Sequence, residues 1–103
     1  MKTIMIVDDE PDVLKNVKSC LESDDFEVIT ASNSREAIEL INDDEENIGL
    51  ILVDTPMPGS DKSALFSIKP KSKIDTSNLN DFLQKPFTRE QLLDFVKRNI
   101  VKD

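Results

Sequence analysis

Short apolar runs alternate with amphipathic stretches along most of the chain, and that alternation predicts strands and helices in turn. Thr3-Ile4-Met5-Ile6-Val7 reads as a strand covered on both faces. Asp8-Asp9-Glu10 ends it, and Pro11 suits the first turn of a helix, where a missing N–H costs nothing. Val13, Leu14, Val17 and Leu21 then recur at helical spacing to about Ser23. Residues 27–30 predict a second strand. Ser32-Asn33-Ser34 offers N-caps for a second helix with Ala37, Ile38 and Ile41 facing inward. That helix should fray at Asp43-Asp44-Glu45-Glu46, because negative charge at a helix C-terminus opposes the dipole.

Ile48 to Val53 predicts a third strand, ending at Asp54. Residues 55–61 read as a loop, Ser63 to Lys69 as a short helix stopped before Pro70, and residues 71–80 are polar except for Ile74 and Leu79. Phe82 and Leu83 form a last short strand. Thr88 followed by Gln91 is a capping box, opening a terminal helix with Leu92, Leu93, Val96 and Ile100 on one side. Strands alternating with helices imply a doubly wound α/β fold, a parallel sheet covered on both faces. Its ligand site should lie beyond the carboxyl ends of the strands. Those ends read Asp8-Asp9, Asp54 and Lys85.

The chain has 103 residues, which predicts a single domain over 1–103. It carries 21 acidic and 13 basic side chains and a net charge of −8, which argues against direct nucleic-acid binding. No apolar run approaches the roughly 18 residues of a membrane span, and Met1 leads straight into a strand without a signal peptide, so a cytoplasmic protein is expected. With no histidine and one cysteine, the usual nucleophile pairs and nitrogen–sulfur zinc sites are excluded. Cys20 reads as a buried small hydrophobe. What remains is carboxylate chemistry. Acids crowded at neighbouring strand ends repel one another, and a hard ion such as Mg²⁺ relieves that repulsion. Lys85 can pair with Asp54 or with a phosphoryl oxygen, and Asp54 can attack as a carboxylate nucleophile.

Three segments carry a family resemblance: Ile6-Val7-Asp8-Asp9-Glu10-Pro11; Leu52-Val53-Asp54-Thr55-Pro56-Met57-Pro58, with Asp61 after it; and Phe82-Leu83-Gln84-Lys85-Pro86-Phe87. In them the sequence resembles a receiver domain of the two-component response-regulator family. The resemblance implies a flavodoxin-like fold with Asp54 as phosphoacceptor, supplied by a histidine kinase or phosphotransfer protein. It implies Mg²⁺ on Asp8, Asp9, Asp54 and the Pro56 carbonyl, Lys85 on the phosphoryl group, a cis bond between Lys85 and Pro86, and Phe82 as switch aromatic.

Residues 55–84 are shorter than the family's interval between these motifs, and each parallel crossover needs about ten to twelve residues. The expectation is therefore four strands in the order 2-1-3-5, with the fourth strand and helix reduced or absent and the Phe82 strand directly beside the Asp54 strand. In a competing arrangement Ile74-Asp75-Thr76 is a reduced strand and Thr76 or Ser77 supplies the switch hydroxyl. Lys62 stands where the family commonly has glycine. An exposed sheet edge could host a second copy.

Two functions follow from the resemblance. One is a stand-alone receiver that accepts phosphate and binds a separate effector protein; it is not a metabolic enzyme, though slow autodephosphorylation is expected. The other is a degenerate receiver used as a phosphorylation-independent interaction or dimerisation module. An unrelated metal-dependent phosphatase fits less well, since Glu10, the only acid two residues beyond a strand-end aspartate, is committed to a helix start.

Overall fold

The computed structural model describes residues 3–44, 47–56, 59, 63–68 and 81–100. Eight elements follow one another there: β1 (Thr3–Val7), α1 (Pro11–Glu22), β2 (Val28–Ala31), α2 (Ser34–Asp44), β3 (Ile48–Pro56), β4 (Ser63–Ile68), β5 (Asp81–Gln84) and α3 (Arg89–Asn99). β1 pairs in parallel with β2 on one side and β3 on the other, so Ile4, Met5 and Ile6 are wholly buried. Pro11 occupies the first turn of α1, and Asp25 closes the following turn with φ 67°, a conformation that Asp tolerates better than most residues. β3 runs past the predicted end, through Asp54 to Pro56.

The sheet has five strands in the order β2-β1-β3-β4-β5. This overturns the four-strand order 2-1-3-5 and the direct pairing of the Phe82 and Asp54 strands, because β4 lies between them. It also overturns the short helix over Ser63–Lys69. β4 is antiparallel to β3, and β5 is antiparallel to β4, so β5 again runs the same way as β1, β2 and β3. The physical reason lies in the connection. Antiparallel neighbours need only a hairpin, whereas parallel neighbours need a crossover. A hairpin return therefore fits a fourth strand into an interval too short for two crossovers. Ser63-Ala64-Leu65-Phe66-Ser67-Ile68 is buried on both faces, and a short apolar run of that kind has no period that separates strand from helix. The reduced strand at Ile74-Asp75-Thr76, the hydroxyls of Thr76 and Ser77, and Lys62 lie outside the described residues.

Alternation divides the core. Ile4, Ile6, Leu50, Leu52 and Leu65 face α1 and α3, where they meet Val17, Leu21, Leu92, Phe95 and Val96. Met5, Val7, Ile51 and Ile68 face α2, where they meet Ala37, Leu40 and Ile41. Ile38, expected on the inner face of α2, is instead exposed, and Leu40 takes its place. Cys20 is half-buried against the α1–α3 cluster.

A polar lock holds β5 to the end of α3. Asp81 accepts from the Asn99 amide at 3.0 Å, from the Arg98 guanidinium at 3.0 Å and 3.2 Å, and from the Phe82 N–H at 2.8 Å. Burial alone would raise the Asp81 carboxyl, but these donors outweigh it and hold it below the ordinary carboxylate value. At the other end of α3, Thr88 Oγ1 accepts from the Gln91 N–H at 3.1 Å while Gln91 Oε1 accepts from the Thr88 N–H at 2.8 Å, completing the predicted capping box. Thr88→Ala is expected to cost about 1 kcal/mol, read as a lower urea midpoint.

Candidate functional site

The directions of the strands bring the carboxyl ends of β1, β3 and β5, together with the amino end of β4, to one rim. Asp8 follows β1 directly. Its N–H donates to the Ala31 carbonyl at 3.1 Å, which continues the β1–β2 ladder and fixes the residue against the end of β2. Asp54 sits within β3, opposite Leu65 of β4, and its side chain is only 9% exposed. Lys85 follows β5. Its backbone N–H donates to the Ser63 carbonyl at 3.1 Å, and its ammonium is ion-paired with Asp54 Oδ2. The bond from Lys85 to Pro86 is cis, in agreement with the resemblance. Phe87 packs against the α1–α3 cluster.

Asp8 and Asp54 meet at this rim. Asp8 Oδ1 accepts from the Glu10 N–H at 3.3 Å, whereas buried Oδ2 has no hydrogen-bond partner among the described residues. Burial, reinforced by the adjacent Asp54 carboxylate and by Asp9, raises the Asp8 carboxyl to about 6 against the lowering effect of the Glu10 N–H. The two observations agree: an ionised Asp8 has no donor to receive at Oδ2, and a protonated Asp8 can donate to Asp54. Asp9 is exposed beside them. The structure thus gathers Asp8, Asp9, Asp54 and Lys85 at one place.

Phe82 does not join them. It pairs with Phe66, which pairs with Val53, so alternation sets it on the α2 face of the sheet, opposite the face that carries Asp54. It is 49% exposed and tilted against Phe66, with ring centroids 5.9 Å apart. Sequence reasoning passed over Ser63, now at the rim, and the lock around Asp81. Only the buried Ser67, polar within an apolar run and within reach of Asn99 Oδ1 at 3.4 Å, could have signalled the lock.

The donors suit a hard ion. Carboxylates, the Pro56 carbonyl at the end of β3 and water are the ligands Mg²⁺ accepts, and the orphaned buried oxygen of Asp8 marks a charge deficit there. No three acidic or cysteine side chains among the described residues form a ready-made cage. Mg²⁺ does not require one, since it is commonly held by one or two carboxylates and keeps several waters.

The raised Asp8 carboxyl has a signed consequence for stability. A group protonated more readily in the folded state stabilises the fold at low pH, and that contribution disappears as pH rises through its folded value. For Asp8 it is complete below 3.8 and lost above about 6. In metal-free buffer, Asp8→Asn should therefore match the wild type near pH 4. It should exceed the wild type by on the order of 2 kcal/mol above pH 7, measured by urea unfolding in the presence of a chelator.

Comparison with known proteins agrees with the geometry. The response regulator receiver domain family matches residues 4–69, more than half of the chain. The chain is 28% identical over 107 residues to the uncharacterized transcriptional regulatory protein YrkP of Bacillus subtilis (strain 168), covering 86% of this chain and 45% of that one. It is 27% identical over 117 residues to the CAI-1 autoinducer sensor kinase/phosphatase CqsS of Vibrio cholerae, covering 92% of this chain and 17% of that protein. The chain therefore spans less than half the length of either curated relative. Among solved structures, a response regulator receiver domain protein from Clostridium thermocellum matches with a TM-score of 0.52 and 36% identity, over 57% of this chain and 47% of that one. With its strand-end aspartates inside the matched segment and its lysine paired to Asp54, the chain belongs to the response regulator receiver domain family.

Proposed function

We propose that this receiver domain accepts a phosphoryl group on Asp54 from the phosphohistidine of a kinase or phosphotransfer protein, and that it signals by protein–protein contact. The observation that carries this reading is the Asp54–Lys85 ion pair set beside the unsatisfied Asp8 at one rim. In the transfer, an Asp54 carboxylate oxygen forms a bond to phosphorus as the N–P bond of the donor breaks, and the electron pair leaves with the imidazole nitrogen. Lys85, freed from the carboxylate oxygen it holds, pairs with a phosphoryl oxygen instead. Asp8, Asp9, Asp54 and the Pro56 carbonyl would hold Mg²⁺. When bound, that ion supplies charge neutralisation for the incoming oxygens. Asp54 acts here as a phosphoacceptor, with slow hydrolysis of its own acyl phosphate, and the domain has no metabolic substrate.

The donor has a place to dock. A cavity of about 310 Å³ lies between α1 and the turn from β5 into α3, walled by Val13, Val17, Phe87 and Leu92, with Lys85 at its lip. An apolar helix face of the donor seated there would lie next to the phosphoacceptor. The domain is proposed to act in the cytoplasm; no helix among the described residues is long and apolar enough to cross a membrane.

Intact mass spectrometry after incubation with acetyl phosphate, with and without Mg²⁺, tests the reading. The expected result is a single metal-dependent phosphoryl adduct, mapped by peptide mass to the segment holding Asp54. No adduct under either condition would favour the phosphorylation-independent interaction module.

A further inference from the structure

We infer that Ser63, at the amino end of the reversed strand β4, is the hydroxyl that binds the phosphoryl group on Asp54. The assignment rests on Asp54 being the phosphoacceptor. It begins from the register: Asp54 pairs with Leu65, and Pro56 with Ser63. Side chains two apart on a strand share a face, so Ser63 lies on the same face as Leu65, and Leu65 joins Leu52 in the α1–α3 core. That is the face of Asp54. Ser63 is its diagonal cross-strand neighbour, displaced toward the rim, at a spacing of roughly 7–8 Å between backbones. A phosphoryl group added to the Asp54 carboxylate extends into that gap.

Lys85 closes the arrangement from the other side. Its N–H holds the Ser63 carbonyl at 3.1 Å, while its ammonium holds Asp54. The hydroxyl, the phosphoacceptor and the cation are thereby joined through neighbouring backbones on three strands. Ser63 is half-buried, so its position is partly screened from water.

The register sets the other end of β4 far from this rim. Ile68, the end of β4, pairs with Ile51 near the start of β3, and Asp81 opens β5 opposite Ser67. Both described residues that flank 69–80 thus lie at the rim opposite Asp54. Reversing the fourth strand exchanges its ends: the amino end, carrying Ser63, takes the place beside the phosphoacceptor. Ser63 is already fixed by pairing to β3 and by the Lys85 N–H, so it binds the phosphoryl group without travelling. Phe82, on the other face, receives no displacement from it.

With acetyl phosphate as donor, the bond from Asp54 oxygen to phosphorus forms as the donor's P–O bond breaks, and acetate leaves with the electron pair. Ser63 keeps its proton and donates a hydrogen bond to one of the three remaining oxygens. The experiment compares the full chain with Ser63→Ala, Ser63→Val, Ser63→Thr, the double variant Thr76→Ala/Ser77→Ala, and Asp54→Asn. Adduct formation with Mg²⁺ is followed by intact mass. The beryllofluoride complex, a phosphoryl mimic, is followed by ¹⁹F NMR.

Ser63→Ala and Ser63→Val should slow adduct formation about tenfold, the effect of losing one hydrogen bond, and should move one fluorine resonance. Ser63→Thr, which matches Val in size but keeps the hydroxyl, should stay within about threefold of the wild type, and the double variant should equal it. Wild-type rates in both hydroxyl-free variants, or a loss confined to the double variant, would overturn the assignment of Ser63 alone. A wild type that forms no adduct, or an adduct that survives in Asp54→Asn, would overturn the phosphoacceptor reading and Ser63 with it.

Discussion

Asp54→Asn is expected to abolish the phosphoryl adduct, lowering its rate of formation by at least about 10³-fold with acetyl phosphate and Mg²⁺. An amide oxygen carries no full negative charge to attack phosphorus, and neither Asp8 nor Asp9 replaces it. Asp8 is buried and readily protonated, while Asp9 is exposed and the Lys85 ammonium is paired with Asp54. The same substitution should leave the fold intact. It removes the partner of Lys85, but it also removes the like charge that faces Asp8, and the new amide can donate to the Asp8 oxygen that has no donor. The two changes oppose each other, so metal-free stability at pH 7.5 should move by no more than about 1 kcal/mol. Burial is the larger cause of the raised Asp8 carboxyl. In Asp54→Asn that carboxyl should therefore titrate closer to its ordinary value yet remain above it, which ¹³C NMR of the side chain would read. Full return to the ordinary value would show that Asp54, and not burial, sets the electrostatics of the rim.

Leu65→Ala should be the most damaging single truncation in β4, with a loss of about 3 kcal/mol in urea unfolding. Leu65 is completely buried, pairs with Asp54 on one side and Leu83 on the other, and packs into the core beneath α1 and α3. The cost is large because the side chain is enclosed by the sheet below and two helices above, leaving little freedom for the cavity to collapse. A domain of this size has roughly 5–15 kcal/mol to lose, so the variant should remain folded at room temperature but melt well below the wild type. Its consequences should reach the rim, since Leu65 anchors the strand that carries Ser63 and, through Ser63, the backbone of Lys85. Amide exchange should become faster across residues 64–67 and 82–85 together. A loss under about 1 kcal/mol would mean that this segment is not a central strand.

Much of this was legible in the chain itself. The run from Thr3 to Val7, the proline at the head of α1, the Thr88–Gln91 box and the apolar spacing of α3 are local signals, each decided within about ten residues. Local chemistry therefore predicted those elements with their ends nearly right. Asp8 after β1, Asp54 near the end of β3 and Lys85 after β5 were also legible, because polar residues closing apolar runs mark the neighbourhood of strand ends wherever the strands go. What the chain could not decide alone was β4. Six apolar or small residues, buried on both faces, carry neither a helical nor an alternating period, and whether such a run returns as a hairpin or crosses over depends on which neighbours it finds. Only tertiary packing settles that. β3 offered an open edge, the connection was too short for a crossover, and Leu65 and Ile68 had cores to enter on opposite faces. That reversal then determined two things no local pattern contains: Ser63 at the rim beside Asp54, and Phe82 on the far face, away from it.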